Sequence, residues 1–270
     1  MSLLLEMFTY PFILRAFAVG ILVSLCAALL GVSLVLKRYS MIGDGLSHVG
    51  FGALAVATAL GMAPMAVTIP VVVAAAFLLL RLSSTGRLKG DAAIAMISTG
   101  ALAVGVIVLS LSTGMTSDVN NYLFGSMLAM SGEDVTLSVV LAAAVLMLFV
   151  LFYRRIFAVT FDETFARATG GHAEACNMLL ALLTAVTIVL GMRVMGTMLI
   201  SSLIIFPALT AMRVCRSFKS VTLCAAAVSV VCFFVGLCTS YLLSTAAGAT
   251  VVVANILAFL IFAAVGRLRG

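Results

Sequence analysis

Charged residues are scarce in this chain: they make up 9% of its 270 residues, whereas 64% are hydrophobic. Because soluble domains carry about 25% charged residues, this composition excludes a soluble globular domain. The long apolar runs also lack the regular alternation that marks a membrane β-barrel. Since a backbone in lipid must satisfy its hydrogen bonds internally, the sequence predicts an all-α, polytopic helical membrane protein.

Polar breaks divide the sequence into about nine apolar segments, which predicts about eight or nine transmembrane helices in one membrane domain, residues 1–270. The first run is long enough to span a bilayer and ends without a small-residue cleavage pattern, so we expect no secretory signal peptide. The predicted segments are 12–36, 41–61, 65–82, 92–112, 135–153, 178–192, 195–212, 221–243 and 250–266.

Basic residues are nearly missing from alternate connections between these segments. Of the 15 lysines and arginines, 13 fall in one set of connections, the other set holds only Arg193, and Arg15 lies inside the first segment. Lysine and arginine are retained on the cytoplasmic side of a membrane. We therefore expect the amino terminus outside and the carboxyl terminus inside, and we attribute the net charge of +6 to this bias rather than to nucleic-acid binding.

Catalytic and redox motifs are also missing. There is no G-x-x-x-x-G-K-[ST] phosphate loop, so we do not expect the chain to hydrolyse ATP itself, and no H-E-x-x-H or G-x-S-x-G motif. The six cysteines have no C-x-x-C spacing and lie mostly in apolar runs. We interpret them as small hydrophobic residues rather than a disulfide framework. These observations predict a chain that is not an enzyme.

An ionisable pair interrupts the second segment, in "MIGDGLSHVGFG", residues 41–52. Asp44 is the only carboxylate well inside a predicted span, and His48 follows one helical turn later on the same face. A charged residue in a span usually faces an interior path, and a carboxylate with an imidazole suits zinc, manganese or ferrous iron. Two ligands do not close a metal site, and the alternative is a pair that satisfies itself within the helix packing. Four glycines around the pair would let another helix approach closely: Gly43, Gly45, Gly50 and Gly52.

A few other polar residues lie in apolar surroundings. Ser47 beside the pair, Ser201 and Ser202 in the seventh segment and Asn255 in the last are candidates for lining a path. The simpler interpretation is that such residues hydrogen-bond between or within helices. His172 lies in a polar connection, where we expect it to be solvated.

The connection 154–176, "RRIFAVTFDETFARATGGHAEAC", is the longest and most polar of the predicted inner loops. Asp162 and Glu163 fall near the start of a predicted short helix, and "ATGG" would end it because glycine accepts the left-handed cap. A soluble partner could bind such a helix, although a solvated loop helix is the simpler alternative. In an outer loop, "NNYLFGSMLAM" is too short to span and predicts an interfacial or re-entrant helix.

Four separated stretches together carry a resemblance that covers nearly the whole chain. They are "KRYSMIGDGLSHVGFGALAVA", "NNYLFGSMLAMSGEDV", "FDETFARATG" followed by "MRVMGTMLISSLIIFPALTAMR", and "STAAGATVVVANIL". In their order and spacing they resemble the zinc/manganese/iron (ABC-3 type) permease family of ABC transporters. The sequence departs from that family at Ser244–Gly248, where a D-T-P-x-G pattern is common and this chain reads "STAAG".

The resemblance implies a permease subunit of a binding-protein-dependent importer in the cytoplasmic membrane of a bacterium. Its cargo would be a divalent transition metal, with Asp44 and His48 as metal ligands on the path and no permanently bound cofactor. The implied partners are an ATP-binding subunit, an extracytoplasmic metal-binding protein and a second permease subunit, identical or related. The family's F-D-x-x-x-A-x-x-x-G segment contacts the ATPase, and here it reads Phe161, Asp162, Ala166 and Gly170.

Two other functions remain open from the sequence. One is a secondary metal transporter or channel that works without ATP, which an inverted repeat or a relay of intramembrane carboxylates would favour. Neither feature is visible in the sequence. The other is a permease for a metal chelate, whose path should lack a pair of metal ligands.

Overall fold

The protein folds as a bundle of helices, described by a computed structural model over residues 11–84, 90–112 and 132–269. Within these ranges every regular element is a helix. The elements are α1 (Pro11–Leu36), α2 (Ile42–Ala59), α3 (Pro64–Ser84), α4 (Gly90–Leu111), α5 (Gly132–Leu151), α6 (Tyr153–Phe161), α7 (Glu163–Ala168), α8 (Ala173–Met195), α9 (Thr197–Met212), α10 (Phe218–Leu243) and α11 (Ala247–Arg269).

Nine of these helices correspond one to one with the nine predicted segments, and α6 and α7 lie in the connection 154–176. Among the described residues, seven helices are long and apolar enough to cross a membrane. The remaining two of the nine are the 18-residue α2, which carries Asp44 and His48, and the 16-residue α9. The predicted all-α, multi-span fold is confirmed. The predicted helix in "NNYLFGSMLAM" lies outside the described residues.

Helices α1 and α8 form the centre of the bundle, with two thirds of each span buried, whereas α11 is mostly exposed along its length. Helix α2 is enclosed by α3, α4, α8 and α9. Its glycines permit this: a Cβ added at Gly52 would lie 2.6 Å from the carbonyl oxygen of Ala101 in α4, and one at Gly45 would lie 2.6 Å from Ile94. The sequence-based expectation of close helix approach around the pair is therefore met.

The connection 154–176 holds two helices, α6 and α7, where the sequence predicted one. The predicted helix is α7: Asp162 caps its start by accepting a 2.8 Å hydrogen bond from the Phe165 amide, and Gly170 follows its end with φ +79°. Helix α6 was missed because its first turn is polar. It is anchored by the ring of Phe157, whose centroid lies 5.1 Å from that of Phe218 at the start of α10.

Candidate metal path and coupling helix

Asp44 and His48 lie on the first turns of α2, with Asp44 Oδ2 3.8 Å from His48 Nε2. That distance is too long for a hydrogen bond. The His48 side chain is 13% exposed and that of Asp44 is 39% exposed. The Nδ1 atom of His48 is buried and has no hydrogen-bond partner among the described residues. The imidazole is thus not satisfied by Asp44, which argues against a self-contained pair and leaves nitrogen lone-pair capacity for a metal ion.

Helix α9 brings a third polar side chain to this pair. The Oγ atom of Ser201 donates a 3.4 Å hydrogen bond to Asp44 Oδ1, although the two residues are 157 positions apart. Gly43 explains the approach, since a Cβ there would lie 3.0 Å from Ile204 of the same helix. Asp44, His48 and Ser201 therefore form a candidate, partial ligand set at the contact between α2 and α9. No group of three or more His, Cys, Asp or Glu residues with metal-site geometry occurs within the described ranges.

The other predicted path residues make bonds within their own helices. Ser47 is fully buried and donates to the Asp44 carbonyl oxygen at 2.7 Å, and Ser202 donates to the Leu199 carbonyl oxygen at 2.7 Å. Asn255 is fully buried in α11, where its Nδ2 donates to the Val251 carbonyl oxygen and its Oδ1 has no partner among the described residues. Of the four candidate serine and asparagine side chains, the structure brings Ser201 onto the Asp44 carboxylate.

The second candidate surface is the α7 segment, residues 161–170, which covers the end of α6 and all of α7. Phe161, the last residue of α6, is 61% exposed, and its ring also packs against those of Phe157 and Phe218 at centroid distances of 4.9 and 5.9 Å. Phe165 on α7 is 64% exposed, whereas Ala166 is buried against α8. A large aromatic side chain as exposed as that of Phe165 is typical of a protein contact. Sequence analysis named Phe161 and missed Phe165, although Phe165 is an apolar aromatic residue within the most polar of the predicted inner loops. His172 is exposed, as expected.

A buried cation joins this segment to the rest of the bundle, and sequence analysis did not find it. Lys37, just after α1, is 8% exposed and places its Nζ 3.4 Å from Glu163 Oε2 and against Asn177 Oδ1. Burial lowers the pKa of Lys37, and the Glu163 charge opposes that shift. Burial alone would raise the pKa of Glu163, but the hydrogen bond from Asn177 and the charge of Lys37 hold it below its ordinary value.

Asp162→Ala should loosen α7, because alanine cannot accept the hydrogen bond from the Phe165 amide. Losing such a cap costs about 1 kcal/mol. We expect faster hydrogen exchange in a peptide covering α7, measured by mass spectrometry on the purified protein. Asp162→Asn is the matched control and should keep slow exchange, since asparagine caps as well as aspartate. Equal exchange in the wild type and Asp162→Ala would contradict this capping role.

The bundle of membrane-length helices, the intramembrane carboxylate–imidazole pair and the capped helix with an aromatic surface define a multi-pass membrane transport protein. Residues 9–266 match the ABC 3 transport family, and the chain belongs to that family. It is thus the membrane subunit of an ABC transporter.

The chain is similar to individual proteins over nearly its whole length. The chain is 28% identical to the manganese transport system membrane protein MntC of Listeria monocytogenes, covering 94% of this chain and 90% of that one. It is 29% identical to the high-affinity zinc uptake system membrane protein ZnuB of Haemophilus influenzae, covering 93% and 97%. Among solved structures, PsaBC from Streptococcus pneumoniae in complex with Fab superposes with a TM-score of 0.87 at 28% identity, covering 97% and 94%.

The departure from the D-T-P-x-G pattern lies in the turn between α10 and α11. Ser244 adopts the left-handed conformation there, with φ +51°. Gly248 keeps a packing role, because an added Cβ would lie 2.7 Å from the Met195 carbonyl oxygen at the end of α8. The glycine of the pattern is therefore required by helix contact, independently of the aspartate and proline that this chain lacks.

Proposed function

We propose that the chain is the permease subunit of a binding-protein-dependent ABC importer that moves a divalent transition metal across the cytoplasmic membrane of a bacterium. The observation that carries this proposal is the partial ligand set of Asp44, His48 and Ser201 on an enclosed helix. The relatives named for manganese and zinc transport support metal as the cargo.

The ligand chemistry fits a transported ion rather than a resident one. A carboxylate, an imidazole and a hydroxyl suit zinc, manganese and ferrous iron. A set with few strong ligands binds an ion briefly, and a transport path needs weak enough binding for release. Asp44 and His48 would coordinate the ion in passing, while the Ser201 hydroxyl holds the carboxylate toward the path.

ATP hydrolysis would take place on a separate subunit, since the sequence has no phosphate loop. We assign the contact with that subunit to the α7 segment, through Phe161, Phe165 and the capped helix start at Asp162. With the basic connections inside, the amino terminus lies outside, and an extracytoplasmic metal-binding protein delivers the ion there. A second permease subunit, identical or related, completes the path.

Copurification tests the assignment to an ATP-driven importer. An affinity-tagged chain, extracted from its native membrane in mild detergent, should bring down a subunit that carries G-x-x-x-x-G-K-[ST] and hydrolyses ATP. The variant Phe165→Ser removes the 64% exposed aromatic side chain of α7 and should release that subunit while the helix bundle stays folded. A chain that purifies alone and still transports metal in vesicles without ATP would instead be a secondary carrier.

A further inference from the structure

Lys37 connects three parts of the bundle through one buried ammonium group. It follows α1 directly, and its Nζ contacts Glu163, the first residue of α7, and Asn177 on the first turns of α8. The Lys37 ammonium is thus shared between the Glu163 carboxylate and the side-chain oxygen of Asn177. The start of α7 is thereby fixed to the end of α1.

Backbone hydrogen bonds hold the short segment between Lys37 and Asp44 in one conformation. Lys37 precedes Asp44 by seven residues. In between, the Tyr39 amide donates to the Leu34 carbonyl oxygen at 2.8 Å, and the Ile42 amide donates to the Tyr39 carbonyl oxygen at 3.0 Å. Arg38 holds a left-handed φ of 62°, which is uncommon outside glycine and marks a tightly determined turn. A displacement of Lys37 is therefore passed to the first turn of α2.

The ion pair between Lys37 and Glu163 is difficult to separate because the lysine side chain is buried. The Lys37 side chain is 8% exposed, and separating its charge from the Glu163 carboxylate would leave a buried cation without its partner, so we expect Lys37 to follow Glu163 when α7 moves. Arg167 pairs with the same carboxylate at 2.7 Å, but its side chain is 54% exposed and water can replace that contact. Two cations thus share Glu163: Arg167, which also lies 3.9 Å from Glu174 of α8, and the buried Lys37, which links the carboxylate to the end of α1.

From this geometry we infer that Lys37 is a positioning residue that transmits movement of α7, the ATPase contact, to the Asp44–His48 pair. The inference rests on the proposed function, because it requires that α7 moves with the ATPase cycle. If Lys37 only stabilised the fold, replacing it would lower the stability of the chain without changing how much metal moves for each ATP hydrolysed. A transmitting residue changes that ratio.

The test uses the assembled complex of permease and ATPase subunits in proteoliposomes, with ATP hydrolysis and uptake of radiolabelled zinc and manganese measured on the same vesicles. Lys37→Met keeps the length of the side chain and removes its charge. It should retain ATP hydrolysis and lower the metal moved per ATP by about tenfold, within the usual range of coupling between sites. Arg216→Met, the control that removes an exposed positive charge from the connection between α9 and α10, should stay within about twofold of the wild type.

A charge exchange keeps the test decisive if Lys37→Met fails to assemble with the ATPase subunit. Lys37→Glu with Glu163→Lys restores the pair in reverse, and the Asn177 amide can face either group. Arg167→Gln is made with the exchange, because the Arg167 guanidinium lies 2.7 Å from the Glu163 carboxylate and would repel a positive charge placed there. Recovery of metal moved per ATP to within about threefold of the wild type would support the inference, and no recovery would overturn it.

The remaining outcomes separate this inference from the proposed function. A Lys37→Met complex that moves as much metal per ATP as an active wild-type complex overturns the transmitting role and leaves metal import intact. A wild-type complex that hydrolyses ATP but takes up neither metal overturns the proposed function, and the inference with it.

Discussion

Replacing His48 with alanine should abolish metal uptake while the protein remains folded. The imidazole is the one nitrogen group in the proposed ligand set. Its Nδ1 already lacks a hydrogen-bond partner among the described residues, so removing the ring leaves few polar groups without a partner. Loss even of an outer-shell partner typically costs 10–100-fold in metal affinity or activity, so loss of this ligand should lower uptake by at least about a hundredfold. The measurement is ATP-dependent uptake of radiolabelled zinc and manganese by the assembled complex, normalised to protein level.

The chain offers a matched control, because it has one other histidine. His172 is exposed before the start of α8, so His172→Ala should transport normally. Asp44→Asn keeps an oxygen at the site but removes its charge, and it should also lower uptake strongly because a neutral amide oxygen is a weaker ligand. Normal uptake by His48→Ala or Asp44→Asn at normal protein levels would remove the pair from the metal path.

The second large effect concerns the packing of α2. Gly52→Leu should prevent the bundle from assembling, because even a Cβ at this position lies 2.6 Å from the backbone carbonyl oxygen of Ala101. A backbone atom cannot move aside as a flexible side chain can, so α2 and α4 must separate. Overpacking a well-packed site costs about 1–3 kcal/mol per modest insertion, and a leucine here adds a whole side chain. We expect little monodisperse protein after detergent extraction and size-exclusion chromatography.

Gly100→Leu is the control for this experiment, since it adds the same side chain to the neighbouring helix α4. A Cβ at Gly100 meets nothing within 4 Å in the described structure. This variant should be extracted in wild-type yield with an unchanged thermal midpoint. Similar behaviour of the two variants would show that the close approach at Gly52 does not decide whether the bundle forms.

The sequence predicted the spans well because the bilayer constrains them directly. A membrane-crossing helix needs about 20 apolar residues, so length and composition locate each helix without knowledge of its neighbours. The boundaries of α7 were equally accessible, because Asp162 at its start and Gly170 after its end act through bonds to nearby residues. Features that depend on residues close together in the chain, such as helix spans and helix ends, can therefore be predicted from the sequence.

The contacts that assemble the site were not accessible in the same way. Ser201 reaches Asp44 across 157 positions, and Lys37 reaches Glu163 across 126. Helical periodicity states which face of α2 carries the glycines, but not which helix packs there. The small residue Gly43 indicated a close neighbour, and the fold identifies that neighbour as α9.

Metal import by this chain is tested most directly by a competition series with the assembled complex in proteoliposomes. Uptake of radiolabelled zinc or manganese is measured with ATP present, against rising concentrations of unlabelled zinc, manganese, ferrous iron and a metal chelate. We expect uptake that requires ATP, that one or more of the free divalent metals suppress and that the chelate leaves unchanged. Uptake that persists without ATP, or that the chelate suppresses and free metal does not, would contradict metal import by an ATP-driven permease.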